Sequence, residues 1–203
     1  MKINTIILAT VFLVISAMAG NAQNEKQTNS DYRSAFTVNA GFSLVGSLLA
    51  GNNSDSDFET FAIPAIQVTY DYNIVEWLSL GVAGSYQLMG MEYTDYGSQN
   101  EDFKTTISRT NFAVRGLFHY GNSDVLDMYS GVRFGMTHWS FETEYDGEDY
   151  DVEDDVTFTK GFGAAPQLVL FGIRGYFTDN LGANIEFAVG SPHYLSLGMN
   201  YRF

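Results

Sequence analysis

Six ionisable side chains sit inside stretches that otherwise alternate between apolar residues and small or polar ones: Arg109, Arg115, Arg133, Arg174, Glu186 and Arg202. The charged residues share their phase mainly with glycine, serine, asparagine, threonine and alanine, Leu117 and Leu170 being the exceptions, while the other phase carries most of the leucine, valine, isoleucine and phenylalanine. Charges so placed on one face of successive strands can meet only if the strands enclose a common interior. A carboxylate among guanidinium groups then forms charge-assisted hydrogen bonds, and loss of one partner strands the others. The structural reading of this set is an internal salt-bridge network that fills the enclosed space. The functional reading is a constriction that attracts anions, because arginine outnumbers glutamate.

Other patterns with chemical potential are thinner. His138-Trp139-Ser140 puts a histidine and a serine on the same face of a strand, the pairing of base and nucleophile that acyl hydrolysis uses. The acidic partner that would orient the base must come from Glu142, Glu148 or a neighbour. A histidine near an interface explains the match more simply, and no catalytic residue is assigned. Nine carboxylates and no lysine or arginine lie between residues 142 and 155, a potential oxygen-rich calcium site. The run lacks the spacing of an EF-hand, and like charges in series are ordinarily a solvated segment. His119 and His193 stand alone in the sequence and suggest no metal site. With no cysteine, disulfides, thiolate catalysis and zinc-thiolate centres are excluded. No cofactor is called for.

The elements that carry these residues are strands. Period-two alternation marks eight of them, at about 35–48, 61–72, 77–90, 108–120, 128–141, 163–177, 183–190 and 194–203. Pro64 demotes the start of the second to an edge or bulge, since proline cannot donate to a ladder. Compact turns at 73–76, 121–124 and 178–181 alternate with long polar loops at 50–60, 91–104 and 142–160, and a brief connection at 191–193 precedes the last strand. An even number of strands with short turns at one end and longer loops at the other is the plan of a membrane barrel. Eight strands also enclose a space that side chains can fill, so the interior reads as a plug.

The ends and the composition narrow the setting. Residues 1–22 carry Lys2, an apolar run from Ile3 to Ala19, and Gly20-Asn21-Ala22, the three-part plan of a cleaved signal peptide. Residues 23–34 read as a polar periplasmic lead-in and 35–203 as one barrel domain. A net charge of −14 makes the chain a poor nucleic-acid binder. No later segment has the ~20 consecutive apolar residues that a spanning helix needs, so any membrane crossing is made by strands. A soluble barrel puts its apolar face inward; here the arginines lie on the small and polar face. Because a lipid-facing arginine near midplane costs about 2–4 kcal/mol, the arginine face is inside and the leucine, valine and phenylalanine face meets lipid. Tyr70, Tyr72, Trp77, Phe118 and Tyr120 gather toward the short-turn end, as interfacial aromatics do.

The whole mature chain resembles the small outer-membrane β-barrel family, close in plan to OmpX-type and porin-family barrels of Bacteroidetes-type Gram-negative bacteria. The resemblance is carried by Gly131-Val132-Arg133-Phe134-Gly135, by Gly172-Ile173-Arg174-Gly175-Tyr176-Phe177 with Thr178-Asp179-Asn180-Leu181-Gly182, and by the terminal Leu197-Gly198-Met199-Asn200-Tyr201-Arg202-Phe203. It implies an all-β, eight-stranded antiparallel up-and-down transmembrane barrel in the outer membrane. Tyr201 and Phe203 resemble the carboxy-terminal aromatic signal read by the barrel-assembly machinery during insertion. The expected role is non-enzymatic, structural or through surface interaction of the long loops with an extracellular partner. A narrow porin-like channel for small solutes is the alternative, and a lipid A deacylase, using His138 and Ser140, a remote one.

Overall fold

The computed structural model describes residues 33–44, 58–96, 101–123, 125–145, 148–149 and 161–203. The expected signal peptide, most of the lead-in and most of the acidic run at 142–160 lie outside these residues. Among the described residues eleven strand segments form one sheet: β1 (Ser34–Phe42), β2 (Phe58–Ala62), β3 (Ala65–Val75), β4 (Leu78–Tyr96), β5 (Glu101–Asn122), β6 (Leu126–Tyr145), β7 (Glu148–Asp149), β8 (Gly161–Ala164), β9 (Gln167–Tyr176), β10 (Leu181–Gly190) and β11 (Leu195–Arg202). Every pairing is antiparallel, and β1 bonds to both β3 and β11, so the sheet closes on itself. Around the barrel the order is β1, β3, β4, β5, β6, β9, β10, β11, with β2 and β8 continuing β3 and β9 upward against β4 and β6. The result is the expected eight-stranded antiparallel barrel.

Proline explains why two barrel strands come in two pieces. β2 and β3 break at Ile63-Pro64, and β8 and β9 break at Ala165-Pro166. The residue before each proline still bonds across, Ile63 N–H to Leu88 O at 3.0 Å and Ala165 N–H to Gly135 O at 2.8 Å. The ladder therefore resumes after each missing donor.

Alternation sets the two faces. Phe112, Val114, Val132 and Phe134 are 57–67% exposed on the outside, whereas their neighbours Asn111, Arg115 and Arg133 are at most 3% exposed inside. Lipid is the solvent such an outer face requires. One segment departs from the expected phase. A β-bulge in β9 opposes Ser130 with two residues, Leu170 and Phe171. It turns Val169 into the lumen at 1% exposure and Leu170 outward at 52%, the reverse of strict alternation. Val169 then packs with Leu117 and Tyr129 as a small apolar cluster inside.

The expected loop at 91–104 is largely a ladder. Glu92 pairs with Lys104 and Tyr93 with Phe103, and β6 continues the sheet with Glu144 opposite Lys104. The parts of 50–60 and 142–160 that are described also pair, Phe58 with Tyr93 and Glu144 with Asp149. At 22 residues β5 is about twice the 9–11 residues that cross a bilayer, so its upper half stands clear of the membrane. There the polarity of the faces inverts. Ser108, Ser140, Glu92, Lys104, Glu142 and Glu144 continue the outer face, while Met89, Met91, Tyr93, Ile107, Trp139 and Phe141 continue the inner one. Water outside requires polar residues outward, and the inversion near Ser108 and Ser140 marks where the strands leave hydrocarbon. Polar composition had suggested a loop because the outward face there is charged, yet a ladder needs only backbone donors and acceptors.

At the other end the short turns gather aromatics. Trp77 stacks on Phe118 with centroids 6.1 Å apart, and Phe203 lies 6.4 Å from Tyr70 and 6.1 Å from Tyr201. Tyr201, partly exposed, and Phe203, exposed, lie on the lipid side of the closing strand.

Candidate functional site: the barrel lumen

The interior is crossed by a chain of alternating charge. It begins at His193, whose Nε2 lies 3.6 Å from Glu186 Oε1. Glu186 Oε2 accepts from Arg115 Nη2 at 3.0 Å and from the Tyr129 hydroxyl at 3.1 Å. Arg115 Nε is 3.2 Å from Asp71 Oδ1, and the other oxygen of Asp71 accepts from Arg174 Nη2. Arg174 Nη1 continues to Asp127 Oδ2 at 3.6 Å, and Asp127 Oδ1 sits 2.7 Å from His119 Nδ1. His119 Nε2 meets Ser79 Oγ at 2.9 Å near the short-turn end. The link between the two arginines is a carboxylate, and the link between the two outer carboxylates and that centre is an arginine, so like charges are kept apart throughout.

Neighbouring strands make room for this chain. Asp71 faces Gly81 on β4, which in turn faces Arg115 on β5. A Cβ on Gly81 would lie 2.2 Å from Asp71 Oδ1, so only glycine leaves space for the carboxylate. Gly172 does the same for Tyr129, whose ring a Cβ there would approach to 2.3 Å. The Tyr129 ring lies under both guanidinium groups, 4.7 Å from that of Arg174 and 5.9 Å from that of Arg115. Replacing Gly172 by valine is expected to push this ring aside and lower stability by about 1–3 kcal/mol, the usual cost of overpacking. A reduced urea midpoint in lipid vesicles, against an unchanged midpoint for a Gly163→Val control whose Cβ meets nothing within 4 Å, checks it.

The six residues singled out in the sequence all point inward, with exposures of 1–8%. Arg115, Arg174 and Glu186 come together in the chain described above. Arg133 pairs directly across from Arg115 on β6 yet turns to neutral partners, donating to Gln67 Oε1 and Asn111 Oδ1. Arg109 lies higher, donating to Gln87 Oε1 at 2.6 Å and to the Pro192 carbonyl, with its guanidinium 5.3 Å from the Trp139 ring. Arg202 is apart from all of them. It clamps the β9–β10 turn, with Nε donating to Asp179 O at 2.6 Å and its guanidinium 3.8 Å from the Tyr176 ring.

One expectation is corrected here. His119 and His193 do not stand alone, since each is paired with a carboxylate. Asp71, Asp127 and Tyr129 also belong to the lumen chain and were not singled out. Asp71 sits on the polar phase of its strand beside Gln67 and Thr69, a signal that was present in the sequence. Asp127 lies one residue ahead of the expected start of its strand, between the turn at 121–124 and the alternation that marks the strand.

His138 is exposed on the outer face, with its ring centroid 5.0 Å from that of Phe162. Ser140 lies two residues on, opposite Ser108 of β5. Among the described residues no hydrogen bond or ion pair joins His138 to Ser140 or to a carboxylate. Among them, too, no cluster of three metal-ligating side chains occurs, and no helix is long and apolar enough to cross a membrane.

Solved structures to which the chain is similar include OprG from Pseudomonas aeruginosa, at 10% identity over 85% of this chain and 94% of that one with a TM-score of 0.45. The N-terminal β-barrel domain of Pseudomonas aeruginosa OprF aligns at 15% identity over 85% and 100% of the two chains with a TM-score of 0.42. Neisserial surface protein A aligns at 12% over 88% and 100% with a TM-score of 0.38. No curated protein matches the sequence. The model of the outer membrane protein beta-barrel domain matches residues 7–203, and the chain belongs to that family and resides in the outer membrane.

Proposed function

We propose that this protein is a closed, non-enzymatic outer-membrane barrel that acts through its exterior, maintaining the envelope or presenting the projecting β4–β6 wall and the segments at 50–60, 91–104 and 142–160 to a partner outside the cell. The observation that carries this reading is the charge chain from His193 to Ser79, in which each carboxylate bridges cationic or hydrogen-bonding groups on other strands. Groups bound in this way do not rearrange without leaving a buried charge unpaired, which favours a sealed lumen. Outer-membrane lipid surrounds the apolar face, and insertion by the barrel-assembly machinery uses the strand bearing Tyr201 and Phe203.

A narrow anion channel is the second reading. It is favoured by Arg109 and Arg133, whose hydrogen bonds among the described residues go to neutral oxygens. Single-channel recording of the refolded protein in planar bilayers separates the two. The expected result is a silent membrane for the wild type and for Glu186→Ala. Discrete openings whose size changes in Arg133→Gln overturn the sealed reading and make the lumen the functional site.

A further inference from the structure

Arg133 is 2% exposed, in a lumen whose wall is surrounded by hydrocarbon, and among the described residues it meets no carboxylate within ion-pair distance. Its Nη1 and Nη2 donate to the carboxamide oxygens of Gln67 and Asn111. Its Nε, and the Nε2 of the same Gln67, are buried donors that reach no acceptor among the described residues. The nearby carboxylates are committed elsewhere: Asp71 to Arg115 and Arg174, Asp127 to Arg174 and His119, and Glu186 to Arg115, Tyr129 and His193. Arginine does not relieve such a position by losing its proton. A buried cation with neutral partners alone is held against a large desolvation penalty, which a counter-charge removes.

We propose that the lumen holds a small monovalent anion of the halide class, bound at the Nε–H of the Arg133 guanidinium. Gln67 and Asn111 hold the guanidinium through Nη1 and Nη2, so its Nε–H is fixed in place for an acceptor of its own. Water would satisfy this N–H and leave the charge unbalanced; a halide does both. Multiply charged oxyanions need more donors than this position supplies. The site goes beyond the question of conduction, since a resident counter-ion stabilises a sealed or an open lumen alike.

The test is thermal unfolding of the barrel in phosphatidylcholine vesicles at matched ionic strength in sodium chloride, sodium bromide or sodium gluconate. The midpoint is expected to be higher in the two halides than in gluconate by about 3 °C or more, saturating with concentration. Gln67→Glu places a carboxylate on the same guanidinium and is expected to fold, to match the halide-bound wild type in gluconate, and to lose the halide dependence. Crystals soaked in bromide are expected to show an anomalous peak beside Arg133. Equal midpoints in all three salts overturn the proposal, including where a bromide peak is seen, which would then mark an adventitious ion only. A halide effect that persists undiminished in Gln67→Glu also overturns it, because the ion would then sit elsewhere.

Discussion

Replacing Asp71 by alanine is expected to lower the stability of the folded barrel by about 3–5 kcal/mol, the usual cost of breaking a buried ion pair by removing one partner. Asp71 is the middle of the charge chain, and its two oxygens serve Arg115 and Arg174 separately. Without it, Arg115 retains Glu186 at 3.0 Å and Arg174 retains only the longer contact to Asp127 at 3.6 Å. The two guanidinium groups, both stacked near Tyr129, would then face each other with no charge between them. Urea unfolding in lipid vesicles reads the effect as a lowered midpoint. Asp179→Ala, an exposed turn residue that meets Arg202 through its backbone carbonyl, is the control expected to change little. A double substitution removing Asp71 and Arg174 together is expected to cost less than the sum of the single changes, because the cation left unpaired by the first is removed by the second. Additive losses would mean that the two residues are not coupled.

The second large effect lies one residue from a tolerated arginine. Val132→Arg is expected to destabilise the inserted barrel by about 2–4 kcal/mol, the cost of a lipid-facing arginine near the bilayer midplane. Val132 is 57% exposed and pairs with Gly116 and Leu168 midway along the membrane part of its strand. Arg133 beside it is buried and held by Gln67 and Asn111. Identical chemistry is therefore costly at one position and accommodated at the next, solely because successive side chains leave a strand on opposite sides. Loss of heat-modifiable mobility at lower urea in Val132→Arg, with Val132→Leu unchanged, checks the assignment. An arginine tolerated at 132 would place the lipid face on the wrong side of the sheet.

Much of this architecture could be read in the residues because the constraint is local and repetitive. The phase of Arg109, Arg115, Arg133 and Arg174 relative to Phe112, Val114, Val132 and Phe134 separates lumen from lipid without any knowledge of which strands are neighbours. Proline at 64 interrupts a ladder wherever that ladder lies. The interruption at Pro166 follows the same chemistry, although the preceding Gly163-Ala164-Ala165 keeps the strand pattern going. The bulge at Leu170 and Phe171 was not legible, since an extra residue in one strand is defined only by the strands beside it. The long paired extension of β4, β5 and β6 was hidden by its charged outer face, which has the composition of a loop and the hydrogen bonding of a sheet.

By itself the sequence determined the strand number, the closed antiparallel plan, the membrane setting and the inward set of arginines and Glu186, because these rest on alternation, on turn spacing and on the cost of charge in hydrocarbon. Only the tertiary structure decided which of those charges are partners. Asp71 reaches Arg174 across 103 positions and Glu186 reaches Arg115 across 71, distances in sequence that no local pattern encodes. Barrel closure and the stagger between strands bring them to the same level, and glycine at 81 and 172 leaves the space in which they meet. The same closure leaves Arg133 without a carboxylate partner among the described residues, at a depth where hydrocarbon surrounds the wall and a charge must be balanced from within.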